Sequence, residues 1–319
     1  LDSRRLLLVV VVLVLLCVPL SYPVLTTYSY VLQLMTVGFM WIALTSSWNL
    51  IGGYAGYVSL GHNVFLAAGA YLSGGLFAYA GVSPFVSAPV AGIVCVLLGT
   101  VIGFITLRTR GPAFIISTIA LMLIARILFD NWDYLGGSNG LSLPLLDLET
   151  GLIKVPFYYG MLLCAAGAVY LSYRVRHSKF GLGLRAIAED EVKAEVAGID
   201  TRAYKIAAFA LSGFFIGTAG ALWGYSLFYL RPEAFLTLAV AADMVLMAII
   251  GGRGTVTGPI IGAILIVAFN EISVAELGGS ELNLAVSGVM LMAALLFFPL
   301  GVVGTLREKG RLPRALDWD

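Results

Sequence analysis

The chain alternates long apolar runs with short polar breaks. A membrane-crossing helix needs roughly 20 mostly apolar residues, and that rule predicts spans at 5–23, 29–50, 58–80, 85–107, 112–129, 156–174, 205–228, 238–251, 258–275 and 284–305. The eighth is short and extends back into the polar run before it. Only one polar stretch between apolar runs is long, residues 174–205. From Leu184 to Ala197 it has neither Pro nor Gly, which predicts a short helix. Gly198 fits the position after the last turn, because Gly accepts left-handed backbone there. Leu184, Ile187, Glu191, Ala194 and Gly198 fall on one side at helical spacing, with Glu189, Lys193 and Val196 elsewhere around it.

Charge orients these spans. Cytoplasmic loops carry the excess of Lys and Arg, and ten spans with both termini in the cytoplasm place there Arg4, Arg5, Arg108, Arg110, Arg253, Arg307, Lys309, Arg311 and Arg314. The polar stretch adds Arg174, Arg176, Lys179, Arg185, Lys193, Arg202 and Lys205. Only Lys154 and Arg231 are left outside, against Asp130, Asp133, Asp147, Glu149, Glu233, Glu271, Glu276 and Glu281. The N-terminal run lacks a small-x-small cleavage site, so it is expected to be a retained first span. Spans 2–5 and 7–10 then run in opposite senses, as an inverted repeat requires. The expectation is an all-α polytopic membrane protein, with residues 1–319 one transmembrane domain that includes a cytoplasmic segment at 175–204.

Composition agrees. The chain is 60% hydrophobic and 12% charged, with mean hydropathy +0.97, where a soluble domain carries about 25% charged residues. The net charge of +1 gives no reason to expect nucleic acid. Cys17, Cys95 and Cys164 each sit inside an apolar run, without disulfide or metal spacing. No Lys follows a Gly, so the G-x-x-x-x-G-K-[ST] phosphate loop is absent. Leu72-Ser73-Gly74-Gly75-Leu76 imitates an ATPase signature inside an apolar span, with no phosphate loop to go with it. Two distant histidines give no catalytic triad or metal cluster, and neither a catalytic nor a metal residue is expected.

Polar residues inside spans are costly and are functional candidates by default. Ser59, His62 and Asn63 stand near the start of the third span; His62 either meets substrate or satisfies a hydrogen bond between helices. Arg126, late in the fifth span, either serves the pathway or pairs with Asp130 one turn on. Asp243 is the one carboxylate clearly inside a span, and a structural pair and a transport role both remain open for it. The Gly-rich joint Gly52-Gly53-Tyr54-Ala55-Gly56, in a block without formal charge from Tyr28 to Ala80, is either a tight turn or a broken helix lining a cavity. Small residues four apart, at Gly99/Gly103, Gly213/Gly217, Gly220/Gly224 and Gly254/Gly258/Gly262, read as helix-packing positions.

Four motifs in order carry a resemblance. Leu184-Arg185-Ala186-Ile187, Glu191-x-x-Ala194-Glu195-x-x-Gly198-Ile199 and Tyr204-Lys205 resemble the cytoplasmic coupling segment of LivM-type branched-chain amino acid ABC transporter permeases, with Val192-Lys193-Ala194 where ABC importers in general have Glu-Ala-Ala. Gly56-Tyr57-Val58-Ser59-Leu60-Gly61-His62 is similar to the family's G-x-x-S-x-G-H segment. Gly136-Gly137-Ser138-Asn139-Gly140-Leu141 resembles its external loop, with Leu135 where Thr is common. The run from Met247 through Gly251-Gly252-Arg253-Gly254 to Gly258-Pro259 resembles its M-x-x-x-G-G-x-G-x-x-x-G-P signature.

The resemblance implies a permease subunit without cofactor of its own. Its partners would be a homologous LivH-type permease, two ABC ATP-binding subunits carrying ATP and Mg, an extracytoplasmic solute-binding protein and membrane lipid. Arg185, Glu189, Glu191, Ala194, Glu195, Gly198 and Ile199 would couple to the ATPases. Gly52, Gly53, Gly56, Gly251, Gly252, Gly254 and Gly258 would serve as hinge or packing positions. Branched-chain or related small amino acids are the expected cargo, with urea, short amides or aromatic acids as the alternative. A stand-alone secondary transporter is the competing class, and it would want more intramembrane acids than Asp243.

Overall fold

The computed structural model describes residues 13–21, 28–144, 154–277 and 301–310, with isolated positions at 288, 289, 292, 296, 298 and 318. Among the described residues eight helical segments are long and apolar enough to cross a membrane, and they coincide with the second to ninth predicted spans. They are α1 (Tyr28–Gly52), α2 (Asn63–Ala80), α3 (Pro84–Thr106), α4 (Pro112–Asp130), α5 (Lys154–Arg176), α8 (Thr201–Ser226), the pair α9 (Pro232–Phe235) and α10 (Leu238–Gly252), and α11 (Gly258–Leu277). Between α5 and α8 lie α6 (Lys179–Glu189) and α7 (Glu191–Val196), and α12 covers Gly301–Glu308. A two-residue antiparallel pair, β1 (Leu141–Ser142) with β2 (Tyr229–Leu230), is the exception to an all-helical chain. Most of the predicted spans 5–23 and 284–305 lies outside the described residues. So do residues 145–153, Arg4, Arg5, Glu281, Arg311 and Arg314.

Helix α8 is the spine, and small residues set how closely its neighbours approach. A Cβ on Gly217 would fall 2.4 Å from the Cys95 sulfur of α3, and one on Gly220 would fall 2.1 Å from the Leu66 carbonyl oxygen of α2. Where apolar burial gives helices no drive to associate, such close backbone approach supplies it. At Gly217 and Gly220 the glycine spacing therefore serves close helix packing.

Two spans are broken, and their breaks meet. Helix α2 begins at Asn63 rather than at the predicted residue 58, because the residues before it bond sideways to other helices. The Trp48 indole N–H donates to the Ser59 carbonyl at 2.8 Å, and the Leu60 N–H donates to Thr118 Oγ1 of α4 at 3.1 Å. Helices α2 and α8 run parallel, Leu66 against Gly220 and Ala70 against Gly224. His62, at hydrogen-bond distance from Ser212, therefore sits about 16 Å along α8 from Thr201, at 1.5 Å per residue. The run 53–62 has climbed that far without helical structure. Residues 229–237 descend from the opposite end: Tyr71 O–H donates to the Leu230 carbonyl at 3.4 Å, while Asn63 bonds the carbonyls of Phe235 and Thr237. That is a drop of about 12 Å along α2. Helix α10 starts at this depth, which is why the eighth span looked short.

A further expectation changes. The single helix from Leu184 to Ala197 is two helices broken at Asp190, whose backbone is extended and whose carboxylate accepts the Lys193 N–H at 3.0 Å, an N-cap in mid-segment. The first of them starts early, at Lys179, under the Ser178 hydroxyl, which accepts the Gly181 N–H at 3.1 Å. Its glycines are there for contact: a Cβ on Gly181 would fall 2.0 Å from the Val175 carbonyl oxygen. Glu271, counted among the external charges, lies in the last turns of α11, where it accepts the Tyr30 O–H from the start of α1 at 2.6 Å.

Candidate functional site

The densest polar network centres on Glu191, the first residue of α7. Lys205, in the first turns of α8, places its ammonium 2.5 Å from Glu191 Oε1, with the Lys and Glu side chains only 3% and 12% exposed. Tyr57, from the run 53–62, donates its O–H to Glu191 Oε2 and accepts from Lys205 at 3.2 Å. Thr201 donates to Glu191 at 3.3 Å and to Glu195 at 2.8 Å. Arg110, between α3 and α4, reaches both carboxylates, at 3.3 and 3.1 Å. One carboxylate thus ties α7 to α8, to the irregular run before α2 and to the α3–α4 connection.

Electrostatics follow from that geometry. Burial by itself would raise the Glu191 carboxyl, but hydrogen bonds from Lys205 and Tyr57, with the charges of Lys205 and Arg110, outweigh it and hold the group below the usual carboxylate range. The Tyr57 phenol is pushed well above its ordinary value by burial and by donating to that carboxylate. Asp190 is held low by the Lys193 backbone N–H and then by the Lys193 side chain. A buried ammonium is stable only when so paired.

The other residues of the 184–199 segment divide into two faces. Leu184, Ile187 and Ala194 are buried under the segment, while Glu189, Val192 and Lys193 face out and Val196 is 85% exposed. Ile199 is half-buried, and its N–H closes on the Ala194 carbonyl at 3.0 Å around Gly198, whose φ is +85°. Arg185 is half-buried, with Nε enclosed and without a hydrogen-bond partner.

Beside the network, the two glycine joints touch. Asn49 near the end of α1 donates to the Thr255 carbonyl and accepts the Gly254 N–H, each at 2.8 Å. Arg176 donates to the Gly254 carbonyl from α5. Gly52 ends α1 and Gly53 opens the turn after it, both tightly packed: a Cβ on Gly53 would lie 1.8 Å from Asn49 Oδ1, and one on Gly52 would strike the Trp48 ring. Gly251 faces the Gly258 carbonyl at 1.8 Å on the same test, Gly258 faces the Gly252 carbonyl, and Gly56 turns with φ +75° beside Ala188.

The residues proposed for a pathway do not form one cluster. Ser59, His62 and Asn63 are buried together along the run into α2, with His62 Nε2 2.9 Å from Ser212 Oγ and its ring edge-on to Phe65 and Phe209. Arg126 pairs with Asp130 at 3.7 Å, as the spacing predicted, and with Glu233 at 3.2 Å. Asp243 is half-buried on α10 without a partner among the described residues. No group of three His, Cys, Asp or Glu side chains among the described residues is placed to hold a metal.

The family described as branched-chain amino acid transport system / permease component matches residues 30–295. The chain belongs to that family. It is 30% identical over 281 residues to the high-affinity branched-chain amino acid transport system permease protein LivM of Escherichia coli K12, covering 77% of this chain and 66% of the relative. Identity to LivM of Salmonella typhimurium is 29% over 299 residues, 83% of this chain and 70% of that one. LivH of Salmonella typhimurium is 26% identical over 177 residues, 56% and 54% of the two chains. No solved structure matches.

Within this permease, sequence reading singled out Glu191 but missed its partners Tyr57, Arg110 and Thr201, which are 10 to 134 positions away in the chain. Asn49 was missed although a signal existed: with Gln33 and Asn63 it is one of three amides in the uncharged block 28–80, and a polar side chain inside a span needs a reason.

Proposed function

We propose that this permease is the membrane-spanning subunit of an ATP-driven importer for branched-chain or related small amino acids, in a prokaryotic cytoplasmic membrane. The observation that carries the reading is the Glu191 network, which gives a short exposed helix a charged, buried attachment to three parts of the membrane domain. Two ATP-binding subunits, holding ATP and Mg, would grip the exposed face of α6–α7. A LivH-type second permease would complete the pathway, and a solute-binding protein would deliver cargo to the end carrying β1 and β2. Basic residues at the α6–α7 end support a cytoplasmic position for that end. The broken spans α2 and α10 hold equivalent places in the two halves and run antiparallel, which supports an inverted repeat with both termini inside.

ATP-driven closure would move α7, and through Glu191 the run 53–62 and the start of α8, between outward- and inward-open states. Purifying the tagged permease in mild detergent and identifying its companions by mass spectrometry tests the assembly. Two ATPases and a second permease are expected, and a chain that remains intact but alone would end the proposal. Uptake of labelled leucine against urea and an aromatic acid then tests the cargo. Replacing Glu191 or Gly198 is expected to leave hydrolysis running while uptake falls.

A further inference from the structure

Asn63 lies where the run 53–62 meets the run 229–237, which is made of β2, the one-turn helix α9 and the residues around them. Its side chain is fully buried. The amide Nδ2 has two protons and two acceptors, the Phe235 carbonyl at 3.2 Å and the Thr237 carbonyl at 3.0 Å. Those carbonyls belong to the run 229–237, which comes from the opposite end of the molecule and leads into α10; Thr237 is the N-cap of α10, accepting the Val240 N–H. Asn63 itself is the first residue of α2 and directly continues the run 53–62. That run is fixed at Tyr57 to Glu191, at Leu60 to Thr118 and at His62 to Ser212. A continuous chain of bonded groups therefore leads from α7 to the start of α10, and it passes from one run to the other through one amide group.

We propose that Asn63 is the latch that makes the two broken spans move as one: displacement of the run 53–62 at the α7 end pulls the carbonyls of Phe235 and Thr237, and with them the start of α10. Asn63 acts as a positioning residue that touches no cargo. The geometry favours this over a general packing role because both amide protons are spent on one segment, at the carbonyls on either side of Leu236, and the second of these, Thr237, also accepts the Ala241 N–H of α10 at 3.4 Å, so the amide grips the first turn of that helix. Coupling through a chain of contacts has to be demonstrated by coupling itself. The proposal rests on the reading that α7 is the moved element, but the test does not require the ATPases.

The experiment is hydrogen exchange by mass spectrometry on the purified full chain, in four forms: unaltered, Glu191→Gln, Asn63→Leu and the double variant. Glu191→Gln loosens the α7 end and is expected to raise exchange about tenfold in both runs, 53–62 and 229–237; about tenfold is what one or two lost hydrogen bonds are worth. With Asn63→Leu in place, the response at 53–62 should remain while the added response at 229–237 vanishes, a non-additive cycle. Asn63→Asp, similar in shape but unable as a carboxylate to donate to a carbonyl, should behave like Asn63→Leu and serves if the leucine variant does not fold. An undiminished response at 229–237 in the Asn63 variants, or additive effects, would overturn the latch. In the assembled importer, Asn63→Leu should lower cargo moved per ATP by a similar factor while the ATPases still bind; absence of ATPases altogether would count against the importer reading and leave the exchange result standing.

Discussion

The runs 53–62 and 229–237 have the same geometric task from opposite ends, yet they are held in opposite ways. In the first, Tyr54, Ala55, Ser59 and His62 are buried to 1% exposure, and hydrogen bonds anchor it to α1, α4, α7 and α8. In the second, Leu230, Phe235 and Leu236 are buried but Arg231, Glu233 and Ala234 are exposed, and among the described residues one ion pair joins Glu233 to the half-exposed Arg126. Irregular backbone at membrane depth survives only where protein or water satisfies it. The first run is bonded to four helices and almost wholly enclosed, and the second is bonded to β1 and α2 on one side and exposed on the other. Motion imposed at α7 therefore meets a stiff lever first and a compliant one afterwards.

Breaking the stiff side should cost most. Glu191→Ala leaves the Lys205 ammonium buried with only a phenol oxygen beside it, and the loss is expected at about 3 kcal/mol, read as a fall in the thermal unfolding midpoint in detergent. The same attachment has a pH signature. Because the Glu191 carboxyl is held below its ordinary value near 4.5, its stabilisation is complete at neutral pH and is lost only as pH falls through that lowered value. The unfolding midpoint should stay flat from pH 7 to pH 5, and this acid-side loss should be missing in Glu191→Gln.

Next comes Gly61→Ala, whose new methyl carbon would lie 2.6 Å from the Thr118 carbonyl oxygen. Since backbone cannot swing away as a side chain can, the expected cost is about 2 kcal/mol. Gly198→Ala meets nothing within 4 Å but keeps φ near +85°, so backbone strain alone applies, about 1 kcal/mol. It should fray α7, seen as faster exchange at the Gly198 and Ile199 amides. On the compliant side, Arg126→Ala breaks two partly exposed pairs and should move stability by less than about 0.5 kcal/mol. A larger loss there than at Gly61 would reverse the comparison.

The sequence made the spans legible because twenty apolar residues in a row have few other uses. It also made Glu191 and Gly198 legible, through helical spacing and left-handed backbone. It hid the break at Asp190, since nothing in a run of good helix formers says that one carboxylate will cap the second half rather than continue the first. It hid the late start of α2 for a related reason: Val58, Ser59 and Leu60 are apolar or small enough for a helix, and the bonds that hold them extended come from Trp48 and Thr118 on other helices. Arg126 with Asp130 was readable at one-turn spacing; Glu233, 107 residues away, was not.

The Lys205 pair also bears on how the protein is made. As α8 is threaded into the bilayer, its first turns bring a positive charge whose counter-charge lies 14 residues earlier, on a helix of only six residues that cannot persist by itself. Two further partners of Glu191, the Tyr57 hydroxyl and the Arg110 guanidinium, belong to segments synthesised long before. The pair reaches its full set of partners only when the second half of the molecule docks against a correctly placed first half, so the same bond that would carry force in the finished transporter also checks its assembly.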